Sequence, residues 1–137
     1  MKDLVAYIIE SNAKESKDFD QFAMEMVDEG KNLIKYFKGA ESVKVGSSKT
    51  SLFITVYTKK GHKLDVAESL KEVVKNSQNY EYCANEVVYS AWVHNKGDQD
   101  CYEIIIELES VAEDYFNHRK KVAATNKGKF IVEPTKI

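Results

Sequence analysis

The sequence predicts an α+β fold, a two-layer sandwich in which a mainly antiparallel sheet of two hairpins packs on amphipathic helices. Three observations carry this expectation. A long apolar hairpin runs from Tyr80 to Glu109 around the turn segment Asn95-Lys96-Gly97-Asp98-Gln99-Asp100. Two shorter runs rich in β-branched and aromatic residues, Val43 to Val45 and Ser51 to Thr58, are joined by Gly46-Ser47-Ser48-Lys49. The segments around these hairpins carry apolar residues at helical spacing.

Taken in order, Met1 to Glu10 places Leu4, Val5, Ile8 and Ile9 at the spacing of a short amphipathic helix, too short to be stable alone in water. The small, charged run Ser11 to Lys17 follows. Residues 1–17 are therefore expected to form a separable element ahead of one domain at 18–137. Asp18 as N-cap, with Gln21 three residues on, opens a helix with Phe19, Phe22, Ala23, Met26, Val27, Gly30, Leu33, Ile34 and Phe37 on one stripe, and Gly39 stops it. After the first hairpin, Gly61 breaks the chain. Asp65 and Glu68 then cap a helix that turns Val66, Ala67, Leu70, Val73 and Val74 inward.

The register of the large hairpin follows from asking which pairing gathers apolar residues on one face. With His94 opposite Cys101, the pairs Val93/Tyr102, Ala91/Ile104, Tyr89/Ile106 and Val87/Leu108 share a wholly apolar side. The other side pairs Trp92 with Glu103, Ser90 with Ile105, Val88 with Glu107 and Glu86 with Glu109. Ser110 and Glu113 form a capping box for a helix carrying Val111, Ala112, Tyr115, Phe116, Arg119, Val122 and Ala123. Phe130 to Val132 reads as a short edge strand that Pro134 stops.

At 137 residues the chain has the size of one domain, and 43% hydrophobic with 31% charged residues is the balance of an ordinary folded, soluble protein rather than a disordered or fibrous one. A net charge of -2 argues against a surface that is wholly a nucleic-acid footprint. No apolar run approaches the roughly 18 residues that cross a bilayer, and no secretory leader is visible, so the expected location is the cytoplasm of the cell that makes it, or a virion. Cys83 and Cys101 are too few and too far apart for a disulfide framework or a zinc site.

No catalytic or metal site assembles from the sequence, and no cofactor is expected. His62, His94 and His118 lack a second ligand at metal-binding spacing. His94 sits beside Cys101 across the turn, at a hairpin end that reads as exposed and poorly preorganised. Glu103, Glu107 and Glu109 alternate along a strand as a solvated face does; only convergence of Glu103 or Glu107 with His94 in a concave pocket would argue for an enzyme. Gly46-Ser47-Ser48-Lys49-Thr50 lacks the glycine spacing and the following helix of a phosphate loop.

Two surfaces remain. Lys59, Lys60, His62 and Lys63 would join Arg119, Lys120, Lys121, Lys127 and Lys129 in one phosphate-binding region if the loop after the second strand lay near the last helix. Arg119, in an apolar row, would otherwise snorkel or pair with an acid. Val88, Trp92 and Ile105 form an apolar strip on the hairpin's mixed face that needs a cover, supplied by the amino-terminal helix through Leu4 and Ile8, by a protein partner, or by self-association.

Met1-Lys2-Asp3-Leu4-Val5-Ala6-Tyr7-Ile8-Ile9-Glu10, followed by Ser11, resembles the capsid-targeting segments that open internal head proteins of large tailed phages. Lys2, Tyr7, Ile8 and Glu10 carry the resemblance, while Leu4 stands where an aromatic is usual and Ala6 where an acid is usual. It implies cutting between Glu10 and Ser11 by a prohead protease. The same Ile-x-Glu triplet recurs at Ile105-Ile106-Glu107, inside a sheet, and at Ile131-Val132-Glu133, near an exposed end. The resulting expectation is a non-enzymatic phage virion protein, internal or auxiliary to the head, acting through protein contacts. The alternative is a small phage-encoded module that binds and inhibits a host protein or nucleic acid.

Overall fold

The computed structural model describes residues 18–79 and 86–137. The expected element at 1–17, with Leu4, Ile8, Glu10 and Ser11, lies outside the described residues, as does Cys83. Helix α1 covers residues 18–29 and passes into a 3-10 helix at Gly30–Tyr36, with Gly30 at φ +50°. Strands β1 (Ala40–Ser47) and β2 (Ser51–Lys59) form the first hairpin, α2 (Val66–Lys75) follows, and β3 (Val87–Lys96) with β4 (Gln99–Leu108) forms the second. The chain closes with α3 (Glu109–Thr125) and β5 (Lys129–Lys136).

The described strands make one antiparallel sheet in the order β1-β2-β4-β3-β5, so the fold is α+β as expected. The β3–β4 register is the one that segregation of apolar residues demands, from Val87 opposite Leu108 to His94 opposite Cys101. Gly97 takes φ +64° at the first of its two turn positions, which suits a tight hairpin with the twist of its strands. The two hairpins meet directly, with Ile54 opposite Ile104.

Because side chains alternate across a strand, the sheet has two faces with different cover. Leu52, Ile54, Val56, Tyr89, Ala91, Ile104 and Ile106 form the main core with Phe19, Phe22, Met26 and Leu33 of the first helical segment and Leu70, Val73 and Val74 of α2. On the opposite face, α3 lies over Trp92 and Ile105, with Ala123, Phe53 and Phe130 packed around them. The main core has the two-layer arrangement, and α3 adds a partial third layer.

Three local expectations are corrected. Val27 and Ile34 are 42% and 37% exposed rather than on the buried stripe. Val27 lies ahead of Gly30 on the solvent side of α1; from Gly30 the change to about three residues per turn leaves Ile34 facing outward, while Leu33 and Phe37 are buried as expected. No side chain caps α3, because β4 runs straight into it at Leu108 and Ser110 already lies within its first turn. Pro134 does not stop β5: the strand is at the sheet edge, where a missing N–H costs no ladder bond, and register shifts opposite Tyr89 to Trp92 accommodate it. By contrast Asp65 caps α2 as expected, its Oδ1 accepting from the Glu68 N–H at 3.0 Å. Among the described residues no helix is long and apolar enough to cross a membrane.

Candidate functional site

The outer face of β2, β4 and β3 carries Phe53, Thr55 and Tyr57, then Cys101, Glu103, Ile105 and Glu107, then Trp92 and His94. The period of two along each strand brings these residues under or beside α3. The face divides into a buried ion pair, a cleft and a cluster of three ionisable side chains.

Arg119 reaches down from α3 to the buried carboxylate of Glu107. Its Nε donates to Glu107 Oε1 at 2.6 Å, its Nη2 contacts the same oxygen, and Nη2 also donates to Ser51 Oγ at 3.2 Å. Ser51 in turn donates to Glu107 Oε1 at 3.2 Å. The guanidinium lies 5.2 Å from the Phe53 ring centroid and 5.7 Å from that of Tyr115, a sandwich that a planar, weakly hydrated cation tolerates. Burial pushes the Glu107 carboxyl above its ordinary range; the Arg119 charge and the hydrogen bonds from Arg119 and Ser51 pull the other way and offset only part of it. The sequence leaves Arg119 between snorkelling and pairing with an acid, and the structure gives it an acid, Glu107.

Beside this pair, α3 and the sheet enclose a cleft of about 210 Å³ lined by Phe53, Trp92, Ile105 and Val122 with Glu103, His118 and Arg119. Thr55 Oγ1 donates to Glu103 Oε2 at 3.0 Å. Glu103 Oε1 accepts from the Cys101 thiol at 3.2 Å and lies 3.5 Å from His94 Nε2. The His94 ring stacks on Trp92, with centroids 4.9 Å apart and planes at 26°. Its Nε2 is buried and makes no hydrogen bond, the nearest carboxylate oxygen, Glu103 Oε1, lying 3.5 Å away. Burial, followed by the Glu103 carboxylate, pushes the Cys101 thiol up to about 12, against smaller opposing effects of Lys96 and Tyr57. A thiol so placed is protonated at neutral pH and is no nucleophile as it stands.

Glu103 and His94 therefore meet, but they line different concavities, Glu103 the cleft beneath α3 and His94 the groove with Asp100 and Lys127, so they do not converge in one pocket; nor is Glu103 the solvated strand-face acid that the alternation of carboxylates predicts. Spacing along the chain hides the group, since His94 and Cys101 meet across the hairpin and Thr55 arrives from a third strand. The signal that could have found it is the register itself, which puts His94, Cys101 and Glu103 on one face.

The strip Val88, Trp92 and Ile105 is not a free contact surface. The three residues are 6%, 7% and 4% exposed, and α3 supplies cover for Trp92 and Ile105. The basic region is likewise divided. Arg119 bonds to Ser51 at the start of β2, whereas Lys59 ends that strand about 26 Å away and Lys60 follows it. Lys120 lies 4.9 Å from the Phe116 ring and Lys121 is exposed on α3. Of the carboxy-terminal lysines, Lys127 does share a groove with His62 and Lys63, but Asp100 lies in the same groove and accepts from the Gly61 N–H at 2.8 Å.

A surface that the sequence does not single out lies on α1. Met24 is 66% exposed one turn before Val27, beside a shallow groove formed with Gln21, Glu25, Asp28, Gln78 and Asn79. Glu25 organises its floor, accepting from Ser77 Oγ at 2.6 Å and from the Gln78 N–H and Asn79 Nδ2 at 2.9 Å. Burial pushes the Glu25 carboxyl up, and these hydrogen bonds together outweigh that and hold it below its ordinary value. No protein-family model, curated protein or solved structure matches the chain.

Proposed function

We propose that this protein is a non-enzymatic binding module that works through protein contacts, and that its place of action is the head of a tailed phage. The observation that carries the binding reading is the outward face of α1, where Met24 and Val27 stand exposed beside Asp28 and Glu29. A flexible thioether next to a β-branched residue, edged by carboxylates, suits a partner that offers an apolar patch with a basic rim. The phage assignment rests on the resemblance of residues 1–11 to a capsid-targeting segment. The protonated Cys101 thiol supports a non-catalytic reading.

Replacing Met24→Lys and Val27→Lys together tests the face. Both side chains are exposed, so the double variant is expected to keep its fold, each change costing within about 0.5 kcal/mol. It is expected to lose co-sedimentation with phage heads that retain the unaltered chain. Equal retention of both chains would remove this face from the account.

A further inference from the structure

We propose that His94, Cys101 and Glu103 form a site for a zinc-class divalent cation. The inference is independent of the binding role of α1. Each residue offers one ligand atom, and the three atoms lie within 4.8 Å of one another. In a tetrahedral zinc shell, metal–ligand distances of about 2.0 to 2.3 Å place neighbouring ligand atoms about 3.3 to 3.6 Å apart. His94 Nε2 to Glu103 Oε1 is 3.5 Å, and Cys101 Sγ to the same oxygen is 3.2 Å. Two edges of the coordination polyhedron are thus near their final length before any ion arrives.

A second observation points to a ligand. His94 Nε2 is buried without a hydrogen-bond partner, an unfavourable state that a metal bound to its lone pair would relieve. The group is also held from outside. Thr55 occupies Glu103 Oε2 and leaves Oε1 turned to the other two ligands, while Trp92 fixes the imidazole plane. One sulfur, one nitrogen and one carboxylate oxygen suit a borderline-soft ion and not magnesium or calcium, which take oxygen ligands. His94 lines one surface groove and Glu103 the cleft beneath α3, so the site has routes of entry. On binding, Cys101 gives its proton to solvent and coordinates as thiolate; no electron is transferred. The ion then clips β3 to β4 and leaves one coordination position for water.

The test is titration of the metal-free, full-length chain with Co²⁺ followed by absorbance, and with Zn²⁺ followed by metal analysis after dialysis. The expected result is one ion per chain and a thiolate-to-cobalt charge-transfer band, both kept in Cys83→Ser, which removes the other cysteine. Thr55→Val is expected to weaken binding roughly 10- to 100-fold, as loss of an outer-sphere partner does, and His94→Ala, Cys101→Ser and Glu103→Gln by more. Circular dichroism establishes that each variant is folded before its affinity is read. Absence of the band in the folded natural chain would overturn the proposal whatever the variants do. So would binding that survives His94→Ala unchanged, or that disappears in folded Cys83→Ser.

Discussion

Arg119 joins α3 to the sheet through one carboxylate, and its worth is set by what it would leave behind. Truncating it to Met keeps much of the apolar stem but strands Glu107, 4% exposed, without its cation. Breaking a buried pair from one side costs about 3–5 kcal/mol. The sign of the pH dependence follows from the carboxyl. A group whose folded value lies above its unfolded value, about 4.3 for Glu, adds stability that is complete below the unfolded value and is lost as pH rises through the folded one. Removing Arg119 raises the folded value further, so the deficit of Arg119→Met in urea unfolding should be widest at neutral pH and narrow as pH falls toward about 4. A deficit independent of pH would contradict this. The residue was half legible in the sequence: an arginine in an apolar row announces a pairing, but Glu107 becomes its partner only once α3 is known to cross the sheet's outer face. Glu103 departs from the solvated strand-face expectation for a related reason, since its partner Thr55 comes from a strand whose adjacency to β4 the sequence does not state.

At the scale of elements, the β3–β4 hairpin was the most legible part, because a wrong register would have put Tyr89, Ala91, Ile104 and Ile106 on the face away from the main core. The return of α3 was not legible, since Trp92 shows only that a cover is needed and not which element supplies it. The connection into β5 makes that return close. A Cβ on Gly128 would overlap the Trp92 ring, with the Val93 carbonyl 3.1 Å away on backbone that cannot yield. Gly128→Ala should therefore displace Trp92 and cost about 1–3 kcal/mol, the range for overfilling a packed site. Trp92 is the single tryptophan, so its fluorescence reports the change directly. Emission shifted to longer wavelength with reduced stability is expected, and an unchanged spectrum would mean that α3 does not cover it as described.

For the whole molecule, the α+β class was readable because two hairpins and three helical stripes leave few ways to bury every apolar face. The exposed apolar face of the first helical segment was not. Sequence periodicity assigns Val27 and Ile34 to the core; Val27 instead lies on the outer side of α1, and the change of helix type at Gly30 leaves Ile34 facing outward. With Trp92 and Ile105 covered from within, the proposal puts partner contact on the exposed face of α1 rather than on the hairpin. The proposal for the whole molecule is that this chain acts by binding within a phage head, and the resemblance of residues 1–11 to a capsid-targeting segment implies that the first ten are cut away there. Amino-terminal sequencing and mass spectrometry of purified phage particles, from cells that make this chain, test it most directly. The expected result is the chain in the particles with Ser11 as its first residue, and particles that lack the chain would contradict the proposal.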